Sequence, residues 1–396
     1  MARPLNIGLL THSLNPRGGV VHTIELATAL HGLGHRVTVM APAEPGQKLF
    51  RPVPCRVELV PVGPAPRSVR ELVADRVAAY VRHLDRLLDT ERFDLLHAQD
   101  GIGGNALADL RERGRVPGFV RTIHHLDTFA DPQVMAWQRR AWHSASQCLC
   151  VSDLWCETMR VEHGCVAERV SNGVDAARFT PAADARDDRL AERLGLRPGS
   201  GPVFLAVGGV EARKNTLRIL QAFLGVHASQ PDARLVIAGG ASLLDHSAYA
   251  REFQAVLAGS GITAGPGAAV QITGPLPDQD MPALYRLADA LVTPSLNEGF
   301  GLVVLESLAS GTPVVASRIA PFTEYLDDAT CHWSDPGDAR SIAAAMEAAA
   351  MAPRGQPLRD LAGPLLARFS WRASAERHVQ LYAGYLQRLQ KAACTA

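Results

Sequence analysis

Glu298 and Glu306, with seven residues between them, stand in the run Pro-Ser-Leu-Asn-Glu-Gly-Phe-Gly-Leu-Val-Val-Leu-Glu at 294–306. Carboxylates accept hydrogen bonds from hydroxyl groups, and Gly299 and Gly301 open the backbone just before an apolar helix that Gly311 ends. The apolar run at 289–293 reads as a buried strand before that helix, and 313–316 reads as the strand after it. In such a strand, loop, helix, strand unit the unpaired N–H groups of the first helical turn face the crevice at the strand ends, where a phosphate fits. Glu306 lies five residues past Gly301, roughly 7.5 Å further along the helix axis, which suits a sugar carried on that phosphate.

Arg213 and Lys214 follow a strand and precede a helix, so they face the same kind of crevice. Two cations beside helix N-termini neutralise a diphosphate and stabilise it as a leaving group. Lysine is scarce here: Lys48, Lys214 and Lys391 stand among 40 basic residues, which makes Lys214 more notable than an exposed lysine usually is. Gly18 and Gly19 sit at another helix start, where they serve either close backbone approach to a ligand or the turn itself. The Gly-x-Gly-x-x-Gly spacing of a dinucleotide site is absent from that turn, which disfavours hydride transfer. His12, His97, His124 and His125 fall near strand ends of the first half and His22 in the helix after the first strand, and a lone histidine is more often structural than catalytic.

These residues need elements to hold them. Each half alternates strand-like and helix-like stretches, the pattern of a parallel sheet covered on both faces. Strands are expected near 5–11, 36–40, 57–61, 94–98, 118–123 and 147–151, then 202–207, 234–238, 269–273, 289–293 and 313–316. The expected organisation is a first domain over 1–175, a linker with a short helix over 176–200, and a second domain over 201–370. A long terminal helix over 373–396 is expected to rejoin the first domain, with Phe369-Ser370-Trp371 as its hinge.

At 396 residues the chain is long enough for two cores, and its 40 basic and 40 acidic residues balance, so nothing favours nucleic acid as a partner. A start without a signal-like apolar core, and no run near the ~20 apolar residues of a membrane span, lead to the expectation of a cytoplasmic protein. Seven cysteines lack Cys-x-x-Cys spacing, and Cys148 and Cys150 read as buried strand residues, so no metal is expected.

Taken in order, Arg17-Gly18-Gly19-Val20, Phe93-Asp94-Leu95-Leu96-His97, Thr122-Ile123-His124 and Ser171-Asn172-Gly173-Val174-Asp175 lead into Arg213-Lys214-Asn215 and the Glu298 to Glu306 segment. The chain thereby resembles the retaining, nucleotide-sugar-dependent glycosyltransferases of the GT-B fold, the group that includes bacterial glycogen synthase. That resemblance implies two Rossmann-like, doubly wound parallel-sheet domains of α/β class facing across a cleft. It also implies that Glu306 holds ribose hydroxyls, that Glu298 touches the transferred sugar, and that backbone amides of Gly299, Phe300, Gly301, Leu302 and Val303 hold sugar and phosphate. Arg213 and Lys214 then face the diphosphate, Gly18 and Gly19 approach its distal phosphate, and His124 lies beside the transferred sugar. Glu298, Lys214 and His124 form the implied catalytic set.

The family reaction keeps the anomeric configuration by a front-face route without a protein nucleophile. It implies no cofactor or metal, with a nucleoside-diphosphate sugar as co-substrate, a UDP-sugar ahead of a GDP-sugar. The acceptor is left open among glycan, lipid and small molecule; a peripheral membrane contact has no supporting basic helix, and Arg17, Asp100 and His125 are candidate acceptor contacts. One departure stands out: Gly209 occupies a position where many relatives carry arginine, so Arg213 either supplies that charge or diphosphate binding is weaker. A nucleotide-sugar epimerase or hydrolase on the same fold, or a non-catalytic binding protein, are the alternatives.

Overall fold

The computed structural model describes residues 3–66, 68–197, 199–240 and 246–395, without the side chains of residues 392, 393 and 395. The chain divides into two compact units, Met1–Gly173 with Trp371–Ala396, and Val174–Ser370.

The first unit holds strands Asn6–Leu10 (β1), Arg36–Ala43 (β2), Arg56–Pro61 (β3), Leu95–Ala98 (β4), Val120–Ile123 (β5), Gln147–Cys150 (β6) and Ala167–Arg169 (β7). They pair in parallel in the order β3-β2-β1-β4-β5-β6-β7, the doubly wound arrangement in which strand order reverses beside β1. Continuous apolar strands are expected where both faces are covered, and Leu9, Val39, Val120 and Leu149 are fully buried. On one face they meet the helix Gly18–Gly32 and the terminal helix Trp371–Thr395, which buries Ala375, Leu381, Tyr382 and Tyr385 in the same cluster. Each fully buried aliphatic or aromatic side chain there contributes about 1.5 to 3 kcal/mol, which fixes the terminal helix to this unit although it is distant in sequence.

The second unit holds Val203–Val207 (β8), Arg234–Ala238 (β9), Val270–Gly274 (β10), Ala290–Thr293 (β11), Val314–Ser317 (β12) and His332–Ser334 (β13), in the order β10-β9-β8-β11-β12-β13. These pairs are parallel too, and the order reverses beside β8. Phe204, Phe223, Leu235, Ile237 and Met346 are buried in its core.

Two differences from the sequence reading stand out. The edge strands β7 and β13 were not expected, because each has three residues and no apolar run to announce it. Residues 176–200, read as a linker with a short helix, group with the second unit, and the short helix is Ala185–Leu194. Asp184 caps that helix, accepting from the Arg186 amide, and Asp187 receives two hydrogen bonds from Arg286 at 2.8 and 2.5 Å. The chain changes unit between Gly173 and Val174, and again between Ser370 and Trp371. The two crossings lie side by side, for the Val174 amide donates to the Phe369 carbonyl at 2.9 Å.

Candidate functional site

In the second unit the chemistry gathers where β8 and β11 end. Asn215 adopts a left-handed conformation, φ 60°, at the start of the helix Thr216–Ser229. Its side-chain amide donates to the carbonyls of Pro294 and Pro336 at 3.0 and 2.8 Å, and the Leu296 amide donates to the Arg213 carbonyl at 2.9 Å. The loops after β8 and β11 are therefore stitched together. This brings Lys214 Nζ to 2.6 Å from Glu298 Oε2 and Arg213 Nη1 to 3.2 Å from Glu298 Oε1. The Gly299 amide also donates to Glu298 Oε1, at 3.1 Å.

Burial of Glu298 pushes its carboxyl pKa up, but Lys214 and Arg213 outweigh that, and the pKa falls to about 2. The carboxylate is thus ionised throughout the neutral range. Glycines make room for this cluster. A Cβ on Gly208 would meet the Lys214 side chain at 3.1 Å, so the lysine stem lies across bare backbone. Gly209 has φ 75° and the backbone of Gly239 and Gly240 only 3.1 Å from where a Cβ would stand. An arginine at that position would strain the turn, and the cation beside Glu298 comes from Arg213 instead.

Gly301, at φ 96°, begins the helix Leu302–Ala309, and a Cβ there would come within 2.5 Å of the Phe322 ring. Phe300 turns its side chain into the core, stacked on Tyr325 with ring centroids 5.0 Å apart, so only its backbone is available to a ligand. Leu302 and Val303 supply first-turn amides, which have no acceptor within their own helix. One turn further in, Glu306 accepts a 2.7 Å hydrogen bond at Oε2 from the Tyr285 hydroxyl. Burial and the nearby Glu306 charge raise the Tyr285 pKa well above its usual value, so the phenol stays a donor.

In the first unit, His124 follows β5 directly. The helix Gly18–Gly32 starts beside it, and a Cβ on Gly19 would meet the His124 ring at 3.4 Å. Gly18 is exposed with open space around its Cβ position, and Arg17 is the N-cap residue, without a side-chain cap hydrogen bond. His22, one turn along, stands edge-on to His124 with ring centroids 4.7 Å apart, and its Nδ1 bonds Asn172 Oδ1 at 2.8 Å. His124 Nε2 lies 3.2 Å from Gln99 Oε1. Burial, reinforced by His22 and Arg121, holds the His124 pKa well below the ordinary imidazole range, so the ring is neutral.

The candidate acceptor contacts occupy different settings. Asp100 caps the helix Gly101–Glu112, accepting from the Gly103 amide at 2.8 Å, and its other oxygen lies 3.6 Å from His12 Nδ1. His125 Nε2 lies 3.4 Å from Asp127 Oδ1, about a third exposed. His97 is fully buried, bonded to the Tyr382 and Thr122 hydroxyls at 2.7 Å each.

Gln99, Asn172, Asn215 and Tyr285 were missed as site residues. Asn172 and Asn215 did fall inside quoted motifs, and Gln99 follows the Leu-Leu-His-Ala run of β4. Tyr285, within an apolar helix, reads as core, and only the folded chain reveals its carboxylate partner.

Comparison with known proteins gives a consistent result. The family model described as glycosyl transferases group 1 matches residues 190–356, and that described as Glycosyltransferase Family 4 matches residues 16–178. A D-inositol 3-phosphate glycosyltransferase of Xylanimonas cellulosilytica is 30% identical over 397 residues, covering 92% of this chain and 91% of that protein. A protein of the same description from Salinispora arenicola is 33% identical over 259 residues, 60% of this chain, and the match spans only 56% of that relative's length. Among solved structures, a sucrose-phosphate synthase from Thermosynechococcus elongatus superposes with a TM-score of 0.78 over 97% of this chain and 100% of the other, at 22% identity.

Proposed function

The chain belongs to the group 1 glycosyltransferases of the GT-B fold, and from that premise we propose that it moves a hexose from a nucleoside-diphosphate sugar to a hydroxyl acceptor. The donor belongs to the second unit. Glu306, oriented by Tyr285, accepts from the ribose hydroxyls, and the first-turn amides from Gly301 onward receive phosphate oxygens. Lys214 and Arg213 neutralise the diphosphate as the glycosidic bond breaks, and Glu298 fixes both cations.

The observation that carries this reading is the pairing of Glu298 with Lys214 and Arg213. A carboxyl with a pKa near 2 cannot donate a proton at neutral pH, so Glu298 is not the general acid of a hydrolase. Its part is to bind. The reaction then needs no protein nucleophile: the departing phosphate oxygen helps take the acceptor proton, and the anomeric configuration is retained. Lys214 and Arg213 are the cations that face the diphosphate in this reading, which has no metal step. UDP-hexoses are the first donors to try, and the relatives' name makes D-inositol 3-phosphate the first acceptor.

The test is to incubate the protein with UDP-, GDP- and ADP-hexoses, with and without acceptor, in the presence of a chelator. Transfer with a retained anomeric centre, read by NMR of the product, supports the reading. Absence of both binding and slow hydrolysis with every donor would sink it.

A further inference from the structure

We propose that Gln99 is a positioning residue that holds His124 in one tautomer, with the proton on Nε2 and the Nδ1 lone pair left for a sugar hydroxyl. The inference rests on the reading that His124 serves the transferred sugar.

Gln99 directly follows β4 and is 2% exposed, so its carboxamide must be satisfied inside the protein. Its Nε2 lies 3.4 and 3.3 Å from the two ring nitrogens of His97. The in-plane positions of that ring are already taken by the Tyr382 and Thr122 hydroxyls. Near-equal distances to both nitrogens put the amide over the ring, because an in-plane approach at that range would collide with Cε1. An N–H is attracted to the electron-rich face of an aromatic ring, whereas a carbonyl oxygen is repelled by it. The orientation of the carboxamide follows: its NH2 faces His97 and its oxygen faces His124.

A carbonyl oxygen only accepts, so at 3.2 Å the His124 Nε2 must carry the proton. A neutral imidazole has one N–H, which leaves Nδ1 bare. Gly19 and His22 flank the same ring from the helix Gly18–Gly32 and oppose a ring flip. Through Tyr382 the terminal helix takes part in this arrangement, a contact spanning 285 residues of sequence.

Two-bond 15N–1H correlation on the full chain labelled at histidine nitrogens reads the tautomer, with His124 assigned by its loss in His124→Asn. Wild type shows a protonated Nε2 and a bare Nδ1. Gln99→Met keeps the length and removes the acceptor, so the two nitrogen shifts converge as tautomers mix; an unchanged pattern overturns the proposal. Should Gln99→Met not fold, Gln99→Glu decides: it keeps an oxygen acceptor and adds a charge, so the His124 pKa rises by about one unit or more. An unmoved titration overturns it. In the transfer assay Gln99→Met lowers kcat about tenfold, the scale of one hydrogen bond, with donor KM held within about twofold. A raised KM at unchanged kcat counts against it. The tautomer readout needs no turnover, so a wild type without activity but with the Gln99 effect intact would overturn the transferase reading and leave the tautomer assignment standing.

Discussion

The two units build their sites in opposite electrostatic styles. The first sets neutral rings around His124, with Arg121 the buried charge nearby: His22, His97 and His378 are fully buried, and burial lowers the pKa of each. The second buries a charge, Glu298, and compensates it with Lys214 and Arg213 at 2.6 and 3.2 Å. Neutral imidazoles suit contact with an uncharged hydroxyl, whereas two cations held on one carboxylate suit an anion. A similar doubly wound sheet supports both, so the chemistry is set by a handful of side chains at strand ends.

Acid should separate the two styles most strongly. His22 and His378, with pKa values of about 4 and about 3 in the fold, take up protons near 6.5 when unfolded. Their contribution to stability is full above 6.5 and falls as pH drops towards 4 and 3, at about 1.4 kcal/mol per pH unit for each ring. Glu298, lowered from 4.5 to about 2, keeps its contribution above 4.5 and loses it only as pH falls towards 2. His332 in the second unit is also lowered by burial but is half-buried, a smaller effect. Hydrogen exchange followed from pH 7 to pH 4 should therefore release the peptides around 97–124 and 371–382 first. Earlier release around 203–216 and 290–306 would break the comparison.

Glycine substitutions give the next largest effect. Gly301→Ala forces a Cβ into Phe322 at positive φ and should destabilise the second unit by about 2 to 4 kcal/mol, measured by urea unfolding. Gly18→Ala meets open space and should change stability by less than about 0.5 kcal/mol. A comparable loss at both positions would show that Gly18 is needed for folding rather than for close approach to a ligand. Tyr285→Phe should be milder still in stability. It removes the hydrogen bond that orients Glu306 and should weaken nucleoside diphosphate binding by about 1 kcal/mol, read by calorimetry.

The legible part of this molecule was local. Strands such as β1 and β8 announce themselves as apolar runs, and Gly301 and Gly311 mark the ends of a helix within a few residues of where they fall. Lys214 and Glu298 could each be picked out by type, but not the fact that they bind each other, because 84 residues separate them and the meeting depends on Asn215 bridging two loops. A short helix was legible at Ala185–Leu194, but not the partner of its Asp187, since Arg286 lies 99 residues away. Gln99 and Tyr285 were hidden because an amide or a phenol in a buried stretch has many possible partners until the fold selects one.

The proposed donor site of the second unit rests on Lys214 and Glu306. Calorimetric titration of UDP, GDP and ADP into wild type, Lys214→Ala and Glu306→Ala tests it most directly, provided each variant keeps its folded spectrum. Each substitution should weaken the preferred nucleotide by at least about 1 to 3 kcal/mol, the cost of losing a hydrogen bond to a charged group. Wild-type affinity in both variants would contradict the placement of the donor.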